Sequence, residues 1–391
     1  MSIYEELGVD PNKKEVREIF GAVIDNEHPG AFVNIITDPY SSDRALTMHQ
    51  DGDGSKFIQR LLHYFESGQE EIFLGMVDDA LSMNTGDIAA AGFVLGPWVI
   101  TDVINSGLDK EIKKLVMKAV AVRMTELKEL YRRHGFDIKF LGGETADLRY
   151  QVRSAVFDIA ITAWADKKDL ITGNVKVSDQ IFGFRSDGQA SWEKTKNSGL
   201  MSNGLTLARK CLMHSRYNRV YPSLRGVDDF YQGCFNYDDT LPFLDAPVSE
   251  SALSPTRQWA IVIKQLIINL KATDSLHLPH GITMNTGGGA TKISHLGKGG
   301  ILYVKEMPPP PAIFALINKM SDEKWRDMYQ GFNCGIGLDI VGEKNQILVD
   351  AIKRASEFCQ VDFAHLGECQ SLPVGQPNKV SLHTKFGDFE Y

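Results

Sequence analysis

Four short segments of this chain combine glycine with a residue that carries charge. They are DGDGSK at 51–56, SMNTGD at 82–87, GGETAD at 142–147 and TGGGATK at 286–292. Carboxylates hold magnesium, while glycine backbone and lysine hold phosphate. A hydrophobic core needs neither, so the set points to an enzyme that works on a metal-bound nucleotide. The usual nucleotide motifs are missing. TGGGATK does not have the GxxxxGK[ST] spacing of a P-loop, and the GxG at Gly335 and Gly337 lacks the third glycine of a dinucleotide fingerprint. No Ser-His-Asp or Cys-His nucleophile is evident.

Each segment also has an ordinary structural reading. DGDGSK follows a predicted strand and precedes a predicted helix, which together make an anion-binding concavity. Asp51 then stands at the strand end within reach of a metal, Gly52 and Gly54 admit close backbone approach, and Lys56 meets phosphate. A solvated Asp-Gly turn, with Asp53 as the turn residue, is the commoner meaning of such a hexapeptide. SMNTGD is expected to close a helix. Asp79 lies two helical turns before Asp87 and can share its face, whereas Asp78 is expected in solvent. Asp87, beside Gly86 and ahead of an apolar run, is the stronger metal ligand. GGETAD is expected where a strand opens into a loop, with Glu144 on metal or ribose or, alternatively, in a capping box. Three successive glycines, Gly287, Gly288 and Gly289, are costly unless the backbone bends sharply or meets a ligand. Ser202 or Asn203 suits the N-cap of a helix beginning at SNGL (202–205). Asn333 in FNCG (332–335) suits a turn or an amide donor, Cys334 reads as core, and His280 as structural or as a phosphate contact.

The elements that must position these residues alternate between helix and strand. Asp10 and Pro11 open a predicted helix that carries Val23. Strands are expected at 31–37, 45–50, 97–103, 136–142 and 154–165, with helices at 57–66, 71–84 and from Asp109 to Arg133. The apolar pattern breaks at 166–173. Beyond it, helices are expected from Ser254-Pro255, at 312–320 and at 345–359, with strands at 334–342, 361–368 and 379–385. Stretches 184–199 and 215–249 read as loops or insertions. The 391 residues suit two domains, 1–168 and 169–391. Net charge of −8 argues against nucleic acid as the main partner. A phosphorylated ligand then needs local cations, and Lys56, Arg257 and Lys292 are the candidates. The longest mostly apolar stretch, from Ile88 to Ile100, falls short of the ~20 residues of a membrane span. The five cysteines form no CxxC pair, so a reducing cytoplasm is expected.

Taken in order, the segments resemble the aminoimidazole ribonucleotide synthetase (phosphoribosylformylglycinamidine cyclo-ligase) family. That family shows DGxGTK, MNxND, GGETA, SNG, APTR, TGGG and FNxG, which stand here as DGDGSK, SMNTGD, GGETAD, SNGL, SPTR (254–257), TGGG and FNCG. The likeness runs from about residue 45 to 370. Gly86 replaces the family's usual asparagine, Ser55 its threonine, and the N-terminal glycine-rich segment is reduced to HPGAF (28–32). The resemblance implies an α+β fold of two domains, each a mixed or antiparallel sheet covered by helices, and a homodimer formed by the N-terminal sheets with ATP near that interface. It implies an ATP- and Mg2+-dependent ring closure of formylglycinamidine ribonucleotide to aminoimidazole ribonucleotide, releasing ADP and phosphate. Asp51, Asp87 and Glu144 would hold magnesium, with Asp79 in reserve. Lys56 and Asp87 would be catalytic. Asp51, Gly52, Gly54, Lys56, Gly142, Gly143 and Glu144 would contact the nucleotide, and Ser202, Asn203, Gly204, Gly287 to Gly289 and Asn333 the substrate. A thiamine-monophosphate kinase-like enzyme and a nucleotide-binding regulator without chemistry are the alternatives. Selenophosphate synthetase is disfavoured because no cysteine precedes Cys211.

Overall fold

The computed structural model describes residue 7 and residues 19–224, 230–373 and 375–391. Most of the helix predicted from Asp10 lies outside the described residues, as does 225–229 within the second expected insertion. The remainder builds two sheets. The first has strands β1 (Ile36–Asp38), β2 (Ser41–Gly52), β3 (Pro97–Ser106), β4 (Asp137–Asp147) and β5 (Ala155–Asp166), in the order β1-β2-β5-β3-β4. Only β3 and β4 run parallel. The second sheet contains β6 (Gln180–Arg185), β9 (Pro279–Met284), β10 (Ile301–Glu306), β11 (Ile336–Gly342), β12 (Phe363–Ser371), β13 (Lys379–Thr384) and β14 (Gly387–Glu390), ordered β14-β13-β10-β12-β6-β11-β9. A small hairpin, β7 (Asp187–Gly188) and β8 (Asn197–Ser198), occupies the first expected insertion. This is a mixed α+β architecture.

Alternation explains the first sheet. Ala155, Phe157, Ile159, Ile161, Ala163 and Ala165 of β5 are buried at every second position, toward helix α2 (Leu74–Ala90), which follows α1 (Lys56–Ser67), while α3 (Lys110–Arg133) packs on β4. The other face carries Leu46, Met48, Val99, Val103 and Trp164, with Met48 67% exposed. The same face also carries Gln50, Thr101, Asp158 and Thr162, so it mixes apolar and polar residues as a half-exposed sheet face does.

Helix α2 is the element that positions the site. It packs on β2 and β5 on one side and on α5 (Trp259–Lys271) and β9 on the other. Burial on both sides explains why nearly every residue from Met76 to Ala90 is inside. The helix runs through SMNTGD and stops only at Ala90, so that segment does not close a helix as expected. Similarly, β4 runs through GGETAD because pairing with β3 continues to Asp147. The strand expected at 31–37 is confined to Ile36–Asp38, and the helix expected from Ser254 begins at Trp259.

Gly86 has a steric reason. A Cβ there would lie 2.4 Å from the Met284 sulfur of β9, so the sulfur fills the space of the family's usual side chain. Gly86→Asn is expected to lose about 1–3 kcal/mol of stability by overpacking. Urea unfolding checks this, and an unchanged midpoint would remove Met284 as the reason for the glycine. Among the described residues no helix is long and apolar enough to cross a membrane.

Candidate functional site

The site begins where β2 ends beside α2. Asn84 donates from Nδ2 to the carbonyls of Asp51 (2.9 Å) and Ala80 (2.8 Å). With its amide held that way round, Asn84 Oδ1 faces His49 Nδ1 at 3.0 Å. An amide oxygen only accepts, so His49 carries a proton on Nδ1. His49 Nε2 then stands 3.4 Å from Asp87 Oδ2. From the other side Lys292 Nζ approaches the same oxygen to 3.9 Å, lies 4.8 Å above the Phe32 ring and donates to Thr286 Oγ1. His49 of β2, Lys292 of TGGGATK and, beneath Lys292, Phe32 of HPGAF therefore gather at Asp87, while the Asp51 carbonyl is tied to Asn84 of the same helix.

Asp51 is half-buried and accepts from the Gly52 N–H at 2.8 Å. Across the sheet from Gly52 stands Asp158, whose Oδ1 would lie 1.9 Å from a Cβ at position 52. Gly52 is thus demanded by a neighbouring carboxylate as well as by any ligand. Burial, and then the charge of Asp51, push the Asp158 carboxyl above its usual range. Magnesium is commonly held by one or two carboxylates together with substrate phosphates. Asp51 and Asp87 suit that donor set. Among the described residues no three His, Cys, Asp or Glu side chains converge as a self-sufficient metal cage.

Glu144 does not join them. It is exposed on the edge strand β4, and the row Glu144, Val103, Asp158, Gly52 crosses three strand spacings, about 14 Å. Within one protomer it cannot share an ion with Asp51. Gly142 and Gly143 lie on the same edge, where the Gly142 carbonyl accepts from Thr101 Oγ1 at 2.7 Å.

Lys56 was expected on phosphate, but its ammonium is fully buried. It donates to Asp79 (3.1 Å) and to the carbonyls of Met201 (3.0 Å) and Ser254 (2.6 Å). Three acceptors match the three N–H bonds of an ammonium, whereas a neutral amine would turn its lone pair on one of them. Asp79 also receives Arg60 Nη2 and the Thr256 N–H (2.6 Å) and hydroxyl (2.7 Å). Burial raises the Asp79 carboxyl, but Lys56 and Arg60 outweigh it and hold it below its usual value. The same surroundings pull Lys56 downward by burial; the closed donor count favours the ionised pair. Asp53 and Asp78, expected as turn residue and solvated carboxylate, are both buried. Asp53 lies 3.4 Å from Arg60, and Asp78 binds Arg123 through both oxygens at 2.8 Å.

The segments expected on substrate also converge. Gly204 (φ 68°) and Gly289 (φ 53°) are both in the left-handed region and flank Phe332. A Cβ would lie 2.0 Å from its ring in the first case and 2.4 Å from its carbonyl oxygen in the second. Gly204 starts helix α4 (Leu205–Leu212), and neither Ser202 nor Asn203 caps it. Instead Ser202 Oγ contacts Thr256 Oγ1 at 2.9 Å, and Asn203 donates to the Asn285 carbonyl at 3.4 Å. Asn333 is fully buried. Its Oδ1 accepts from Ser186 Oγ (2.9 Å) and Gly335 N–H (2.8 Å), and its Nδ2 donates to the Gly199 carbonyl at 2.9 Å. It binds the loops together, which its motif position alone did not show. Around Gly287 the space is open, and Gly288 (φ 94°) turns the chain away from it. His280 is buried against Asp179 at 2.8 Å, away from these loops, and Cys334 is core.

His49 and Asp158 escaped the sequence reading. Asp158 left one trace, a carboxylate inside the apolar alternation of SAVFDIAITAWA. His49 left none, because its role depends on Asn84.

Comparison with known proteins follows from this geometry. No family model matches the chain. Over 363 residues it is 26% identical to a phosphoribosylformylglycinamidine cyclo-ligase of Methanobrevibacter smithii, covering 88% of this chain and 89% of the relative. A protein of the same name from Methanocaldococcus jannaschii is 27% identical over 301 residues, covering 76% and 71%. Thermotoga maritima PurL complexed with FGAR superposes with a TM-score of 0.53 at 12% identity, over 99% of this chain and 54% of that one. AaThiL complexed with AMPPCP and TMP gives 0.51 at 10% identity, over 97% and 93%. The fold is aminoimidazole ribonucleotide synthetase-like. In that fold α2 lies between β2 and β5 on one side and β9 on the other, with Asp87 near its C-terminal end.

Proposed function

We propose that this chain is an ATP-dependent cyclo-ligase that closes formylglycinamidine ribonucleotide to aminoimidazole ribonucleotide. The observation that carries the reading is the approach of the glycine-lysine loop, through Lys292, to Asp87 of SMNTGD, beside the cradle made by SNGL and FNCG. The names of the curated relatives support it. The ligands bound in similar structures, FGAR in one and AMPPCP in another, support a ribonucleotide and a nucleoside triphosphate as ligand classes.

Asp51 and Asp87 would hold magnesium, which neutralises triphosphate charge when bound. The open backbone at Gly287 to Gly289, with Ser202 and Asn203, would hold the substrate phosphate. The formyl-amide oxygen attacks the γ-phosphorus of ATP, and the bond to the bridging oxygen breaks with its electron pair leaving on ADP. The amidine nitrogen then attacks the activated carbon. A carbon–nitrogen bond forms, the carbon–oxygen bond breaks, inorganic phosphate leaves and the nitrogen gives up a proton. Phosphoryl transfer asks mainly for positioning and charge neutralisation, and ring closure for two ends of one molecule held together. A cleft built from rigid buried loops provides both.

A coupled ADP-release assay with formylglycinamidine ribonucleotide, with and without magnesium, tests the reading. ADP release that needs both supports it. Release with thiamine monophosphate and none with the ribonucleotide would replace it with a kinase.

The apolar residues on the outer face of the first sheet, Met48 most exposed among them, support a homodimer. Met48→Asp puts a charge in its middle and is expected to shift the chain to monomer in sedimentation equilibrium. A monomeric parent, or a variant that stays dimeric, would refute that face as the interface.

A further inference from the structure

We propose that Asp339 is a positioning residue for the glycine loop: through Asn285 and Lys305 it holds both ends of 286–289 and so sets the backbone offered to the substrate phosphate. This rests on the reading of that loop given above. Asn285 directly precedes the loop and Ala290 directly follows it. Asn285 Nδ2 donates to Asp339 Oδ2 at 3.1 Å and to the Ile336 carbonyl at 3.0 Å. Lys305 Nζ donates to the same Asp339 oxygen at 2.6 Å and to the Ala290 carbonyl at 3.2 Å. One carboxylate oxygen is thus a single side chain away from each end of the loop. Backbone bonds seat the same two residues, with the Asn285 N–H on the Gly337 carbonyl (2.9 Å) and the Ala290 N–H on the Phe332 carbonyl (3.1 Å). Asp339 completes a bracket around the four residues between them.

Packing gives no reason for a charge at this place. Asp339, Lys305 and Asn285 are each 0% exposed, and Asp339 interrupts a fully buried strand of isoleucine, leucine, valine and glycine. A buried ion pair seldom adds stability over apolar residues of similar size. Strands β12 and β6 separate β10 from β11, so a side chain as long as lysine is needed to span the gap. The glycine triple supplies the reason. Three successive glycines give a backbone many conformations, and here Gly288 (φ 94°) and Gly289 (φ 53°) are both held in the left-handed region. A backbone that must be ordered as it meets phosphate loses affinity by the cost of that ordering. Fastening both ends to one buried group orders it in advance.

Two variants set stability against binding. Lys305→Met/Asp339→Val replaces the pair with apolar side chains, so its melting temperature is expected within about 3 °C of the parent. The ties to Asn285 and Ala290 are gone, so amide hydrogen exchange over 286–290 is expected to quicken by about tenfold. Calorimetric affinity for formylglycinamidine ribonucleotide is expected to fall by about tenfold or more. Asp339→Asn keeps an amide oxygen for both donors but leaves the Lys305 ammonium without its counter-charge. It is expected to lower the melting temperature by about 5 °C or more, yet to hold the ribonucleotide within about threefold of the parent when titrated well below that temperature. A merely structural pair gives the opposite pattern, with affinity following stability, and that result overturns the proposal. Unchanged exchange in the double variant also overturns it. A loss confined to Mg2+·AMPPCP moves the loop to the nucleotide and overturns the assignment to substrate phosphate. A parent chain that binds no ribonucleotide overturns the functional reading itself, and faster exchange in the double variant would then leave the bracket standing without that ligand.

Discussion

Asp79→Ala is expected to destabilise the chain by about 3–5 kcal/mol, the cost of leaving buried charge without its partner. Asp79 is 0% exposed and gathers Lys56, Arg60 and both donors of Thr256. Removing its carboxylate leaves an ammonium and a guanidinium facing each other in a space closed to water. The effect reaches far along the chain, because Lys56 also holds the carbonyls of Met201 and Ser254. It joins SNGL and SPTR to the helix that carries Asp87. Urea unfolding followed by tryptophan fluorescence measures the loss. A change below about 1 kcal/mol would mean that water or a rearranged partner already neutralises the pair. The sign of the pH dependence follows from the same contacts. The Asp79 carboxyl is held below its unfolded value, so its contribution is present above the unfolded value and fades as pH falls through the lowered one.

Asp87→Ala is expected to act on chemistry and spare the fold. We expect ADP release to fall by about 100-fold or more, since a lost metal contact of roughly 3 kcal/mol in the transition state is worth that factor. Asp87 lies at the rim of the core, 7% exposed, between His49 and Lys292. Alanine there removes a carboxylate from between two basic side chains and suits a helix interior. The melting temperature should therefore move little. Near-parent turnover in the alanine variant would take Asp87 out of the metal shell. A large fall in melting temperature would recast it as a second structural carboxylate like Asp79.

The contrast between these two aspartates shows how much of the site the sequence disclosed. Both lie on α2, two helical turns apart, and both were readable as metal candidates from one pattern. Asp87 meets Lys292 of the glycine loop, whereas Asp79 points at Lys56 and Arg60 of α1 and at Thr256. Helical spacing places two residues on one face but says nothing of what covers each turn. Lys56 carried the same ambiguity: glycine-lysine after a strand suggests phosphate, yet the chain closes over it. Glu144 was misplaced for a different reason. Its motif names a likely ligand type, but strand order sets its distance from Asp51, and strand order is not written in local sequence. Gly86 and Gly52 read as departures or ligand clearances, and the fold gives them the Met284 sulfur and the Asp158 carboxylate as neighbours.

The two-sheet α+β plan was an implication of the family resemblance. The sequence by itself determined the alternation of helix and strand and the glycine-carboxylate segments that mark the cleft. These follow from periodicity, turn chemistry and local charge, which act over a few residues. The tertiary structure alone decided that Lys56 and Arg257, two of the cations the sequence offers to a phosphate, are spent inside. That choice depends on contacts such as Lys56 with Ser254 and Arg257 with Glu193, made between residues remote in the chain. Burial makes an unpaired charge costly, so each buried cation is closed by whichever partner the packing brings, and only the packing can name it.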